Sequence, residues 1–216
     1  MRALRRNVTE YGFRKAQKRA VRTRDVLPRI LIVCEGEKTE PNYFRSFRAA
    51  TASVVVVGTG SSTTSLVEEA VRLRDLDQGE RRHEGIETGY DHVWCVFDKD
   101  SFTDALFNEA IRLARDKGLR VAYSNEAFEL WYLLHFDYHD AALSRDQYGE
   151  KLKERLGHPY AKNSTRMYEE LLARQEDAIR NAGALLRRYD PHNPAKDNPC
   201  TTVHLLVAEL NKWFRR

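Results

Sequence analysis

Long hydrophobic runs are what this 216-residue sequence lacks. No apolar stretch reaches the length needed to cross a bilayer, which argues against a chain of membrane-spanning helices. Cysteine is scarce: Cys34, Cys95 and Cys200 stand far apart with no CxxC among them. That excludes a disulfide framework and a paired-thiol metal site, and the odd count fits a reducing, cytoplasmic setting. The basic N-terminus is not followed by an apolar signal core, so no secretory signal is expected. There is no internal repeat and no low-complexity tract. Charge of one sign is also missing in bulk: the formal net charge is only +4. That excess admits an anionic partner without requiring one. The length and 42% hydrophobic content suit one sizeable domain.

The most informative stretch is Arg29–Tyr43, RILIVCEGEKTEPNY. Ile30 to Cys34 form a continuous apolar run, the pattern of a strand buried on both faces in a parallel sheet. It ends abruptly in Glu35, Gly36, Glu37, Lys38, Thr39 and Glu40. Thr39 can cap a helix with Glu40 and Pro41 in its first turn, and Pro41–Ala50 carries Tyr43, Phe44 and Phe47 toward a core. Acids therefore sit past the carboxyl end of a buried strand, where open α/β sheets usually hold ligands. The plainer alternative is a solvated acidic turn, with Glu40 complementing a helix dipole.

His92–Phe97 repeats the pattern and runs into Asp98-Lys99-Asp100. Residues two apart on a strand share a face, so Asp98 and Asp100 are expected to aim together while Lys99 points away. Paired carboxylates beyond a buried strand suit Mg²⁺ or Mn²⁺, hard cations that prefer oxygen. The alternative is a turn leading into a helix over Thr103–Lys117. Elsewhere, Ser53–Val57 and Leu119–Tyr123 read as strands, Leu66–Leu76 as a helix, and Asp77–Asp91 as a surface loop. Within the helical stretch after Ser124-Asn125-Glu126, Glu129 is the single acid in an apolar pattern. It needs compensation, either as a third metal ligand or as the partner of a base. His135 and His139 are four apart but lack an HExxH context, so packing or surface roles are expected.

The chain divides into a basic arm over 1–28, an α/β core over 29–140, and a helical portion over 141–216 that packs on the core. Arg14, Lys15, Lys18 and Arg19 in the arm are candidate phosphate contacts, or belong to a solvated extension. Lys162 is a further candidate. Tyr148–Leu156 reads as a short helix and Ser164–Tyr189 as one long helix. Asp190–Pro199 reads as irregular, and a last helix follows a cap at Thr201 or Thr202.

Taken together, CEGEKTEPNYF at Cys34–Phe44, VFDKDSF at Val96–Phe102, SNEAFELWYLLHF at Ser124–Phe136 and NPCTTVHLLV at Asn198–Val207 resemble the RloB-like family. The first two also resemble the Toprim signature, a glutamate after one strand and DxD after another. The resemblance implies a Toprim-like, mostly parallel sheet flanked by helices, with a helical C-terminal portion. It implies a Mg²⁺- or Mn²⁺-dependent nuclease acting on RNA, such as tRNA, or on DNA in anti-phage defence, with an ATPase encoded nearby. It nominates Glu35 as the catalytic glutamate, Asp98 and Asp100 as metal ligands, and Glu40 as a second acid of the first motif. Position 102 is Phe, so no DxDxD is present, and Glu129 or Glu126 is the candidate substitute. Lys38 is placed to hold a phosphate, or to pair with Glu37 or Glu40. Two other readings stay open: a different phosphoryl-transfer enzyme on the same fold, and a non-catalytic binding subunit. The last two helices carry apolar faces that serve either a homodimer or the core.

Overall fold

A computed structural model of the chain describes residues 28–47, 53–60, 63–86, 88–100 and 102–213. Arg14, Lys15, Lys18 and Arg19, and the arm that contains them, lie outside the described residues. In chain order the elements are β1 (Arg29–Cys34), α1 (Thr39–Arg45), β2 (Ser53–Gly58), α2 (Thr63–His83), β3 (His92–Asp98), α3 (Asp104–Asp116) and β4 (Arg120–Asn125). They continue with α4 (Glu129–Leu133), α5 (Arg145–Leu156), α6 (Met167–Leu171), α7 (Gln175–Leu186), β5 (Cys200–Thr201) and α8 (Val203–Asn211).

The strands form one sheet in the order β2-β1-β3-β4-β5, parallel throughout except for the β4–β5 pair. Alternation along each strand feeds two cores. Ile30, Ile32, Cys34, Trp94 and Val96 face one layer, where Phe128 just before α4 joins Tyr43, Trp131, Tyr148, Ala178 and Leu206 from α1, α4, α5, α7 and α8. Leu31, Val33, Val93, Cys95 and Phe97 face the other, covered by Leu66 and Val67 of α2 and Phe107 of α3. All three cysteines are buried and unpaired. The chain leaves β1 toward β2 on one side, and reaches β3 on the other side only after recrossing. The carboxyl ends of β1 and β3 therefore flank a topological switch point, the position at which such sheets open a crevice.

Several elements differ from the sequence-based expectation. Helix α2 runs to His83, through part of the segment expected as a loop. Asp77 is gripped there by both prongs of Arg29 at 2.7 and 2.8 Å, which ties the helix to the start of β1. Its last turn carries Arg81, Arg82 and His83, a charge that suits a helix C-terminus. Helix α1 starts at Thr39 itself and ends at Arg45, with Lys38 at the N-cap and no side-chain cap. Thr39 instead donates its hydroxyl to the carbonyl of Lys162 at 2.8 Å.

The expected single helix over Ser164–Tyr189 is two helices joined by a 3₁₀ turn at Leu172–Arg174. Tyr168 on α6 rests against Phe47, ring to ring at 4.6 Å, while α7 packs against α8. One straight rod would not serve both contacts. At the junction Leu172 is exposed and Arg174 lies over the Phe136 ring at 5.0 Å. The C-terminal portion is also not wholly helical. Cys200 and Thr201 add an antiparallel edge strand, fixed by Tyr123 N–H donating to Thr202 Oγ1 at 2.9 Å and Thr201 Oγ1–H to Tyr123 O at 3.0 Å.

Candidate functional site

The turn after β1 is folded tightly around Gly36, with the Glu40 carboxylate against it. A Cβ on Gly36 would stand 2.2 Å from Glu40 Oε2, so glycine there is what lets Glu40 fold back beneath the turn. Thr59 N–H and Gly60 N–H donate to Cys34 O and Glu35 O at 3.0 and 2.8 Å. Thr59 and Gly60, directly after β2, thus brace the turn that carries Glu35. On the neighbouring strand, Asp98 N–H donates to Glu35 Oε2 at 3.2 Å.

Asp98 follows Trp94 and Val96 on the same face of β3 and is buried. Its Oδ2 accepts from Phe128 N–H at 3.0 Å, while Oδ1 is buried with no hydrogen-bond partner. Asp100 does not continue the strand. Its φ of 38° puts it in the left-handed region, and its N–H donates to Glu126 O at 3.2 Å. The two aspartates do come together, through a turn rather than through strand alternation. Lys99 pairs with Asp104 at 3.3 Å.

The result is a cavity of about 260 Å³ lined by Glu35, Gly36, Thr39, Glu40, Asp98, Asp100, Phe128, Glu129, Arg145 and Lys162. Five carboxylates share it with two cations. Arg145 Nη2 lies 3.0 Å from Asp100 and 3.7 Å from Asp98. Glu129 accepts a hydrogen bond from Tyr160 Oη at 3.0 Å and stands 4.0 Å from Lys162 Nζ. The loop bearing Lys162 is pinned to α1 by Thr39, and by Asn42 Nδ2 donating to Asn163 O at 3.1 Å.

The crowding raises proton affinities. Burial, then the charges of Glu40 and Asp100, push Glu35 up to about 7 against the relief given by the Asp98 N–H. Glu40 is raised by burial and by Glu129. Asp98 is raised well above the usual carboxylate range by burial, then by Glu40 and Glu129, with Arg145 opposing. Among the described residues no three His, Cys, Asp or Glu side chains are already drawn together as a metal-binding set. Arg145 occupies the space between two of the acids, and Glu129 is turned toward Tyr160. The donor chemistry nonetheless fits a hard divalent cation: carboxylate oxygens converge on one cavity, and one of them is buried and unpartnered.

Of the residues singled out from sequence, Glu35, Glu40, Asp98, Asp100, Glu129 and Lys162 all line this cavity. Lys38 and Glu37 do not. They are exposed and border an adjoining hollow that also reaches Lys162 and Asn163. Lys38 makes no ion pair with a described residue. Glu126 contributes its carbonyl rather than its side chain. His135 is buried with Nδ1 against Trp131 O at 2.9 Å, a packing role. Arg145 and Tyr160 were missed. The signal for Arg145 was present, because Ser144 and Gln147 form a capping box that starts α5 three residues earlier than the apolar pattern suggests.

The chain is an α/β protein with an acid-lined cavity at the strand ends, beside the switch point of a mostly parallel sheet. The sequence matches the family model described as RloB-like protein over residues 30–210, and the chain belongs to that family. No curated protein and no solved structure gives a significant match. Among the described residues, no helix is long and apolar enough to cross a membrane.

Proposed function

We propose that the protein is a metal-dependent nuclease of Toprim type, hydrolysing phosphodiester bonds in RNA or DNA with Mg²⁺ or Mn²⁺. The observation that carries this reading is the unpartnered Oδ1 of buried Asp98, in a cavity with four further carboxylates. A buried carboxylate oxygen without a donor is costly, and a bound cation supplies what the protein does not.

Asp98, Asp100 and Glu40 are the residues that would hold the metal, with Glu129 at the cavity wall. When bound, Mg²⁺ or Mn²⁺ would stabilise the charge that develops on phosphate oxygens and favour deprotonation of an attacking water. Glu35, pushed up to about 7, exchanges its proton near neutral pH, which suits a group that accepts a proton from water. Lys162, exposed at the cavity mouth, supplies positive charge to a phosphate. Phe128 and the packed α4 wall keep bulk water from one side. The family resemblance adds a defence role and a partner ATPase encoded nearby. If the isolated protein cuts at the same rate with and without that ATPase, the partner does not regulate it.

The test is cleavage of plasmid DNA, single-stranded DNA and total tRNA by the purified protein, with Mg²⁺, with Mn²⁺ and with EDTA. An Asp98→Asn/Asp100→Asn variant is run beside it. Cutting that requires the metal and both aspartates supports the reading and identifies the substrate. Equal cutting by the variant refutes it.

A further inference from the structure

We propose that Arg145 is a built-in counter-ion that holds the place of the divalent cation and is displaced from Asp98 and Asp100 when the cation binds. This rests on the metal-dependent reading above and extends it to a residue that reading does not use.

The way Arg145 is held argues for a temporary occupant. A structural arginine in this same chain, Arg29, grips Asp77 with two parallel hydrogen bonds at 2.7 and 2.8 Å. Such a fork is the strong geometry for an arginine–carboxylate pair. Arg145 instead reaches two different acids through one nitrogen, at 3.0 and 3.7 Å, and its Nε is buried with no partner. The side chain is a little over one-third exposed, so it has a route out of the cavity. Its backbone need not move. Ser144 Oγ accepts from Gln147 N–H at 3.4 Å, and Gln147 Oε1 accepts from Ser144 N–H at 2.8 Å, fixing the start of α5.

Charge balance points the same way. One guanidinium and one ammonium face five carboxylates in this cavity. A divalent cation brings twice the charge of the guanidinium and can meet several carboxylates at once. Asp98 Oδ1, which Arg145 leaves unpartnered, is the ligand such a cation would gain. Two cations cannot occupy the same few ångströms between Asp98 and Asp100, so binding one expels the other.

The experiment is a titration of the full-length protein with Mn²⁺, reading free Mn²⁺ by electron paramagnetic resonance without nucleic acid, so that catalysis plays no part. Wild type is compared with Arg145→Gln, Arg145→Lys and Asp98→Asn/Asp100→Asn, each checked for folding by circular dichroism. Removing a full competing charge at these distances should tighten Mn²⁺ binding about tenfold in the Gln variant. The Lys variant should fall between, and the double variant should lose the site. A folded Gln variant that binds no more tightly than wild type overturns the displacement of Arg145, while the metal reading stands. If neither wild type nor the Gln variant binds Mn²⁺ through the aspartates, both fall. A second measurement uses wild type alone. Phenylglyoxal modification of Arg145, followed by peptide mass spectrometry, should quicken when Mn²⁺ is added, and an unchanged rate also overturns the proposal.

Discussion

Replacing Asp98 by Asn should make the metal-free protein more stable while removing its response to metal. Asp98 Oδ2 accepts from Phe128 N–H at 3.0 Å, and an Asn carbonyl can do the same. The amide NH₂ would then stand where the unpartnered Oδ1 is, beside Glu40 and Glu129, whose charges already drive the Asp98 proton affinity up. Converting an unsatisfied, repelled oxygen into a donor is worth about 1–2 kcal/mol. Against this stands the Arg145 contact at 3.7 Å, whose arginine is partly exposed; its loss costs under about 1 kcal/mol. The net gain of about 1 kcal/mol corresponds to a rise in Tm of roughly 2–4 °C for a protein of this size.

The pH dependence follows from the sign of the shift. Because the folded protein raises the Asp98 pKa, both states are protonated in strong acid and the group costs nothing there; its penalty grows as pH rises above the unfolded value and is complete once pH passes the folded value. The Tm advantage of the Asn variant should therefore be small in acid and widen toward pH 8. Adding Mg²⁺ at about a hundred times its dissociation constant should stabilise wild type by about 2.7 kcal/mol and leave the variant unmoved. Differential scanning calorimetry at several pH values, with and without Mg²⁺, reads all of this. An Asn variant that is less stable than wild type at pH 8 without metal, or that gains equally from Mg²⁺, refutes the reasoning.

Other predictions use different parts of the molecule. Gly36→Ala places a Cβ 2.2 Å from Glu40 Oε2 and must push that carboxylate aside, so Mn²⁺ affinity should fall while the far-ultraviolet circular dichroism is kept. The rate of metal-dependent cleavage should fall below about pH 7, because a protonated Glu35 no longer accepts a proton from water, and a Glu35→Gln variant should cut slowly without that inflection. Thr202→Val leaves the buried Tyr123 N–H without its acceptor and should cost about 1–3 kcal/mol, seen in urea denaturation.

The parallel strands and most acids of the cavity were readable in advance because they follow simple periods. Ile30–Cys34 and His92–Phe97 are apolar without a break, and only a strand covered on both faces tolerates that. Glu35 and Asp98 then fall at strand ends by arithmetic. What was missed depends on tertiary contact. Asp100 was expected in the cavity and is there, but by its own left-handed backbone, which no alternation rule describes. The break at Leu172 follows from α6 having to meet Phe47 while α7 meets α8, although Leu171, Gln175 and Ala178 keep helical spacing and are all buried across it. Cys200 and Thr201 form a strand only because β4 offers an unpaired edge and the hydroxyls of Thr201 and Thr202 complete the bonding. Arg145 is a different case. The Ser144–Gln147 capping box was visible in the sequence, and reading it would have put Arg145 at the head of α5.

The most direct test of the central claim is to locate the metal. Crystals of the protein grown with Mn²⁺ should show an anomalous scattering peak within coordination distance of Asp98 Oδ1 and of an Asp100 or Glu40 oxygen, with the Arg145 guanidinium turned away. A well-ordered acidic cavity without a peak at saturating Mn²⁺, or a peak held by other residues, would contradict the assignment of these carboxylates as a metal site.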